Sequence, residues 1–398
     1  MGRIGQFLLV LGLSCFLVSP QAQGFIEREY TLHEVLDACT HIVFGKVKSV
    51  DEKRLRGTIA VEKDVKGKSN LSEIKMNFAT GQYMRQSSPQ KIVSLLKEGM
   101  PIIVFYRESY AIDCLAYIDN NGEGVWFQTR SHSNYADSWW SFTHIDPMMS
   151  RTFSRSTQEF QQVVKDILDG KKWVDAPKDA IKVLVLTGNG TQPMYSQVPV
   201  DTNTASYEYH AIRSIQKAGE RALAYEPVRD ASLPGLEEAD ILWIGQGEIA
   251  NHQYLLNPNT ETKIKQFVKA GGIVIVSGQD SDTNRPCGIG WLEGKLTGVE
   301  RPPTQQFEVT QAGRSLFSTP NQINPGQLLI DDAWTDWDKS DTIFATANGG
   351  KDLVVGARAH GKGLYIITSM RNDDPGTVAL NKNLIENILY YAAEEVKK

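Results

Sequence analysis

Thr262–Asp282, TKIKQFVKAGGIVIVSGQDSD, decides how the carboxy-terminal half of the chain is read. Its first half is an amphipathic helix, and Gly271-Gly272 stops it, since residues without Cβ accept the left-handed turn a helix end needs. Ile273–Ser277 follows as an apolar strand, with a polar loop at its carboxyl end. Outward from there, Ile181–Leu186 (IKVLVL) is continuously apolar, as a strand buried on both faces should be. A helix over Ser206–Ala218 stops at Gly219, and Ala222–Tyr225 and Asp240–Ile244 are further strands. Strands alternating with helices predict an α/β fold with a doubly wound, mostly parallel, flavodoxin-like sheet. Phe307–Thr310, Leu328–Ile330, Thr342–Ala345, Leu353–Ala357 and Gly363–Thr368 add strands, and a helix over Val378–Val396 closes the unit.

The amino-terminal half has another rhythm. Ile42–Val47, Gly57–Val65, Glu73–Phe78, Pro101–Tyr106, Asp113–Ile118 and Gly124–Thr129 alternate like half-buried antiparallel strands, and Asn121-Gly122 sits in a hairpin turn. With only the short helix Thr31–Cys39 before them, they predict a small all-β barrel or sandwich. Ser156-Thr157-Gln158-Glu159 is a capping box opening a helix that stops at Gly170. The resulting division is 1–24, 25–146 for the β-domain, 147–179 for a helical connector and linker, and 180–398 for the α/β domain.

Residues 1–24 read as a signal peptide: Arg3, the apolar run Phe7–Val18, then Ala22-Gln23-Gly24 before Phe25. A retained anchor is the alternative, but that run is short for a bilayer. The expectation is a secreted or periplasmic protein with no membrane span in the mature chain. A net charge of −5 over 398 residues gives no basic footprint for nucleic acid. Cys39, Cys114 and Cys287 remain after cleavage; a Cys39–Cys114 disulfide and buried free thiols are both compatible with their spacing.

In an open α/β sheet, ligands bind beyond the carboxyl ends of the strands. That rule selects the loops Thr187–Gln192, Gly245–His252, Gly278–Asn284 and Ser369–Asp374, which hold Asn189, Gln246, Glu248, His252, Gln279, Asp280, Asp282 and Arg371. Asn189, Gln246, Gln279 and Arg371 are candidate ligand-binding residues; solvated loops are the plain alternative. Gly188 and Gly190 lack the third glycine of a dinucleotide loop. Asp280, Asp282 and Asn284 start like a calcium loop, but Arg285 and Trp291 occupy its glycine and glutamate positions, so no metal and no cofactor is expected. The acidic stretch Asp331–Asp341 reads as a solvated loop. The aromatics Trp126, Phe127, Tyr135, Trp139 and Trp140 suit core packing better than a stacking platform, and His132, His144 and His360 match no metal or catalytic spacing.

FVKAGGIVIVSG, WLEGKLTG, QFEVTQAGRSLFSTP, DTIFATANGG and DLVVGARAHGKGLYIIT resemble, in order and spacing, the class I glutamine amidotransferase-like superfamily and its ThuA-like (trehalose-utilisation) branch. HIVFGKV, AVEKDVKG and LLKEGMPIIVFY resemble small OB-like domains. The first resemblance implies a cysteine at the turn after Ile273–Ser277 with a histidine and an acidic partner; its ThuA-like branch implies histidines at that turn and after the last long strand. Here the two places hold Gly278-Gln279-Asp280 and Ser369-Met370-Arg371-Asn372-Asp373, and Cys287 lies too far along. The implied function is a catalytically degenerate domain for binding or assembly, with carbohydrate or another extracytoplasmic protein as partner. The alternative is a hydrolase acting on a glycoside or amide, with Asp280 or Asp282 as general base, Glu248 as its partner and Arg371 on an anionic group.

Overall fold

The computed structural model describes residues 31–80, 89–108, 112–131, 138–186, 207–228, 230–245, 256–283, 287–372 and 374–396. The stretch read as a signal peptide lies outside them.

Seven strands close into a barrel in the order β1-β2-β3-β7-β6-β5-β4. They are β1 (His41–Asp51), β2 (Arg56–Lys66), β3 (Glu73–Asn77), β4 (Pro101–Glu108), β5 (Ile112–Asn120), β6 (Glu123–Ser131) and β7 (Trp139–Ile145). Neighbours are antiparallel except β3 and β7, whose short parallel pairing Lys75–Asn77 with Trp139–Ser141 completes the closure. Closure leaves no open sheet edge to template aggregation. Sequence reading misses β7 because Trp139 and Trp140 sit in an aromatic cluster without clean alternation. In the fold they alternate: Trp140 is buried and Trp139 is 36% exposed, with the Arg56 guanidinium 4.6 Å from its ring.

The barrel is filled from within by Val43, Ile59, Phe78, Ile102, Val104, Tyr106, Phe127, Trp140 and Phe142. On its outside, α1 (Leu32–Ala38) and α3 (Thr157–Leu168) cover Phe105, Tyr117 and Trp126. A short helix α2 (Pro89–Leu95) packs Ile92 and Val93 into the inner cluster. Both α1 and α3 begin in capping boxes, Thr31 with Glu34 and Ser156 with Glu159.

The second half forms an eleven-stranded mixed sheet. Its strands are β8 (Ile181–Leu186), β9 (Lys217–Ala218), β10 (Arg221–Val228), β11 (Ile241–Ile244), β12 (Ile273–Val276), β13 (Thr297–Val299), β14 (Glu308–Val309), β15 (Ala333–Thr335), β16 (Thr342–Ala347), β17 (Asp352–His360) and β18 (Gly363–Thr368). Its helices are α4 (Tyr207–Ser214), α5 (Pro258–Ala270) and α6 (Pro375–Glu395). One face carries α4 and α6 over Val183, Trp243, Ile275 and Ile366; the other carries α5 over Leu184, Leu242, Val274 and Ile367.

This corrects the expected fold. The chain is strand-rich, a closed barrel plus a mixed sheet, and not a doubly wound, mostly parallel, flavodoxin-like or amidotransferase-like α/β fold. Strands β10, β8, β11, β12 and β18 run parallel, but β9, β13, β14, β15, β16 and β17 all pair antiparallel. Among the described residues between β12 and α6 there is no α-helix at all, so the helix–strand alternation that defines a doubly wound sheet stops halfway. Apolar runs such as Val354–Val355 and Ile366–Ile367 report burial on both faces but not the direction of the neighbouring strand. The OB-like reading also gives way, since the barrel has seven strands where that fold has five.

Candidate functional site

The Thr262–Asp282 stretch positions the site. Asn257 caps α5, accepting from the Asn259 and Thr260 amides, each at 3.0 Å, and Gly271 ends the helix at φ 125°. The chain then enters β12, buried throughout, and emerges at Ser277-Gly278-Gln279. Gly278 N donates to Met370 O at 3.0 Å, tying this turn to the one after β18.

A buried polar cluster fills the space beneath the two turns. Ser277 Oγ donates to Glu208 Oε1 on α4, and Asn372 Nδ2 donates to the same oxygen at 2.7 Å and to Ser277 Oγ at 3.1 Å. Asn381 on α6 donates from Nδ2 to Asn372 Oδ1 at 3.0 Å and to the carbonyls of Leu329 and Arg371 at 2.9 and 2.8 Å. Glu208, Ser277, Asn372 and Asn381 are all buried. The two donors on Glu208 Oε1 offset part of the cost of taking that carboxylate out of water.

Gln279 completes the cluster and is only 4% exposed. Its Nε2 donates to Gly245 O at 2.9 Å and to Ser277 O at 3.1 Å. Both partners are carbonyls, so the amide orientation is fixed; flipping it would set oxygen against oxygen. Its Oε1 therefore has no donor among the described residues. A buried acceptor left in that state costs about 1–3 kcal/mol, which a donor from water or a ligand recovers.

A second group of carboxylates lies alongside. Asp332, at φ 31°, accepts from the Ser281 and Arg301 amides, each at 2.8 Å. Burial raises its pKa above the ordinary range, and a hydrogen bond with the Asp280 side chain raises it further. Arg371 Nη1 lies 3.3 Å from Asp331 Oδ2, which occupies the cation expected to hold an anionic group. Asp341, in the stretch read as a solvated loop, is instead buried in an ion pair with Arg358, whose guanidinium also donates to the Glu293 and Lys295 carbonyls at 3.1 and 2.9 Å.

The thiols offer no nucleophile. Cys39, Cys114 and Cys287 are free and buried. Cys39 packs in the outer layer under α1, while Cys114 points into the barrel, so the β5 wall separates them and they do not bond. Burial pushes the Cys287 thiol up to about 12, with Asp280 and Asp332 adding to the rise, and Cys39 also up to about 12. At neutral pH both are protonated and inert.

Of the candidates, the structure brings Gln279 and Asp280 to the end of β12 and sets Arg371 on the adjoining turn. Asp282 follows on the loop after Ser281. Asn189, Gln246, Glu248 and His252 lie outside the described residues. Sequence reasoning misses Glu208, Ser277, Asn381 and Asp332. Asn372 stands inside one of the selected loops without being singled out. The available signal is polar residues at core positions: Asn381 and Asn387 interrupt the apolar face of α6, and both are buried. No group of three or more His, Cys, Asp or Glu among the described residues is placed to hold a metal ion. No helix among them is long and apolar enough to cross a membrane.

No family model matches the chain, and no curated protein matches it. Solved structures give distant likenesses. A cytoplasmic protein from Salmonella typhimurium LT2 aligns at 12% identity and TM-score 0.35, over 53% of this chain and 98% of that one. A cold-adapted beta-galactosidase from Rahnella sp. R3 aligns at 14% identity and TM-score 0.33, over 63% of this chain and 35% of that one. A beta-galactosidase from Bacillus circulans sp. alkalophilus aligns at 13% identity and TM-score 0.31, over 60% of this chain and 33% of that one. The chain thus spans about a third of each galactosidase, and at these TM-scores none of the three carries an argument.

Proposed function

We propose that the chain is a non-catalytic binding protein whose ligand, rich in hydroxyl donors as a polyol or glycan is, docks at the carboxyl end of β12. The observation that carries this reading is Gln279 Oε1, a buried acceptor with no donor among the described residues. A hydroxyl supplies the missing donor without bringing a charge into the cluster. Catalysis through sulfur is disfavoured by three buried thiols. An extracytoplasmic location belongs to the same proposal and is supported by the composition of residues 1–24.

The test is a panel of polyols and glycans titrated into the purified chain and followed by calorimetry. Saturable binding that weakens in Gln279→Ala supports the reading. Absence of binding across the panel, with no partner recovered by affinity capture, removes it.

A second reading has its own observation. Asp332 and Asp280 share a hydrogen bond, and the raised pKa of Asp332 leaves one carboxyl of the pair holding a proton at higher pH than usual. A carboxyl that keeps its proton to higher pH is what a general acid needs, and this supports a hydrolase acting on a glycoside or amide. Turnover abolished by Asp280→Asn and by Asp282→Asn would favour it over simple binding.

A further inference from the structure

Two completely buried asparagines on α6, Asn381 and Asn387, each grip one residue of the segment between β14 and β15. Asn381 Oδ1 accepts from Leu329 N at 2.8 Å, and its Nδ2 donates to Leu329 O at 2.9 Å. Asn387 Oδ1 accepts from Asn321 N at 2.9 Å, and its Nδ2 donates to Asn321 O at 2.8 Å. In both cases one side-chain amide satisfies the backbone N–H and C=O that a neighbouring strand would otherwise have to meet.

Their remaining bonds lead to different places. Those of Asn387 stay within the gripped segment, to Leu316 O at 2.7 Å and from Asn321 Nδ2 at 3.1 Å. Those of Asn381 reach the turn after β18, to Arg371 O at 2.8 Å and Asn372 Oδ1 at 3.0 Å. That turn is joined twice to the end of β12. Asn372 Nδ2 donates to Ser277 Oγ at 3.1 Å, and Gly278 N donates to Met370 O at 3.0 Å. Gln279 stands where both connections end, because its Nε2 donates to Ser277 O at 3.1 Å. The carbonyls of Ser277 and Gly245 hold its amide, so their placement sets the direction of Oε1.

We propose that Asn381 is a positioning residue for Gln279, holding the turn after β18 so that the end of β12 keeps the Gln279 acceptor in one orientation, whereas Asn387 serves the fold alone. What Gln279 is positioned for rests on the ligand reading; how it is held rests on the hydrogen bonds. A glutamine free to rotate must be ordered again at each binding event, and an acceptor fixed in advance avoids that cost. Asn387 supplies the matched comparison: the same residue type on the same helix, equally buried, with the same two-sided grip and no printed bond to the site.

Nuclear magnetic resonance of the full chain tests this through proton exchange of the Gln279 side-chain amide, whose signals are those missing from Gln279→Ala. No ligand is needed for this readout. Asn381→Ala should speed the exchange by about tenfold, the equivalent of one hydrogen bond's net contribution. Asn387→Ala should leave it unchanged while losing a similar amount of stability to denaturant. Calorimetric affinity for the tightest polyol or glycan should fall in Asn381→Ala and hold in Asn387→Ala. Should either alanine variant fail to fold, Asn381→Ser and Asn387→Ser take their place, since a hydroxyl still offers one donor. A Gln279 amide that responds equally to the two substitutions, or not at all to Asn381→Ala, overturns the positioning role whatever the chain binds. Faster exchange confined to the Asn381 variant, in a chain that binds no polyol or glycan, upholds the positioning role and removes the ligand reading alone.

Discussion

The barrel interior and the carboxyl end of the sheet are both buried, and they are built from opposite materials. Inside the barrel, Phe78, Phe127 and Phe142 pack at tilted angles with centroids 5.7 to 6.4 Å apart, and Trp140 meets Tyr106 edge-on at 5.5 Å. At the end of β12, Glu208, Ser277, Gln279, Asn372 and Asn381 occupy equally buried positions with amides, a hydroxyl and a carboxylate. Apolar packing is non-directional and satisfies itself. A polar cluster must find a partner for every donor and acceptor, and one acceptor here has none among the described residues. On the reading proposed above, the first region serves stability and the second meets a ligand.

The largest expected effects lie where burial is complete. Trp140→Ala should lower unfolding free energy by about 3–5 kcal/mol through lost transfer energy and the cavity left behind. Chemical denaturation measures this, and ligand affinity should stay unchanged if the barrel only stabilises. Asp341→Asn strands the Arg358 guanidinium among the Glu293 and Lys295 carbonyls, and breaking such a buried pair costs about 3–5 kcal/mol. If either substitution abolished binding while the fold persisted, the division between the two regions would be lost.

Smaller effects sharpen it. Glu208→Gln can keep Oε1 as the acceptor for both Ser277 and Asn372 but replaces two charge-assisted bonds with neutral ones, and should cost about 1–3 kcal/mol. Asp332 gives a pH signature. Because burial raises its folded pKa, its contribution to stability is fully present below the ordinary carboxylate value of about 3.9 and is lost as pH rises through the raised value. Unfolding at stepped pH should show that decline in the unaltered chain and a flatter profile in Asp332→Asn. A steeper profile in the variant would mean that the backbone bonds from Ser281 and Arg301 outweigh burial.

Local elements are the legible part of the sequence. The helix before Gly271, the strand Ile273–Val276 and the Ser156–Glu159 capping box stand where spacing and cap chemistry put them. Strand direction is not legible, because Val354 and Ile366 look alike whether their neighbour runs parallel or antiparallel. The helix expected over Ser206–Ala218 ends at Ser214, and Lys217–Ala218 pairs with Arg221–Ala222 instead. Leu328–Ile330 forms only a bridge at Ile330, to Thr304 and Met370. At the site, the carboxyl-end rule leads to Gln279, Asp280 and Arg371. It is silent on Glu208 and Asn381, which arrive from helices far along the chain and become neighbours only through tertiary packing.

The most direct measurement is the affinity of the unaltered chain and of Gln279→Ala for the tightest polyol or glycan found, by calorimetry, with unfolding measured alongside. Loss of the acceptor should weaken binding at least about tenfold, the equivalent of about 1.4 kcal/mol, in a protein that still folds but is less stable, because the Nε2 bonds to Gly245 O and Ser277 O are lost with it. Equal affinity in the two proteins would contradict the site at the end of β12.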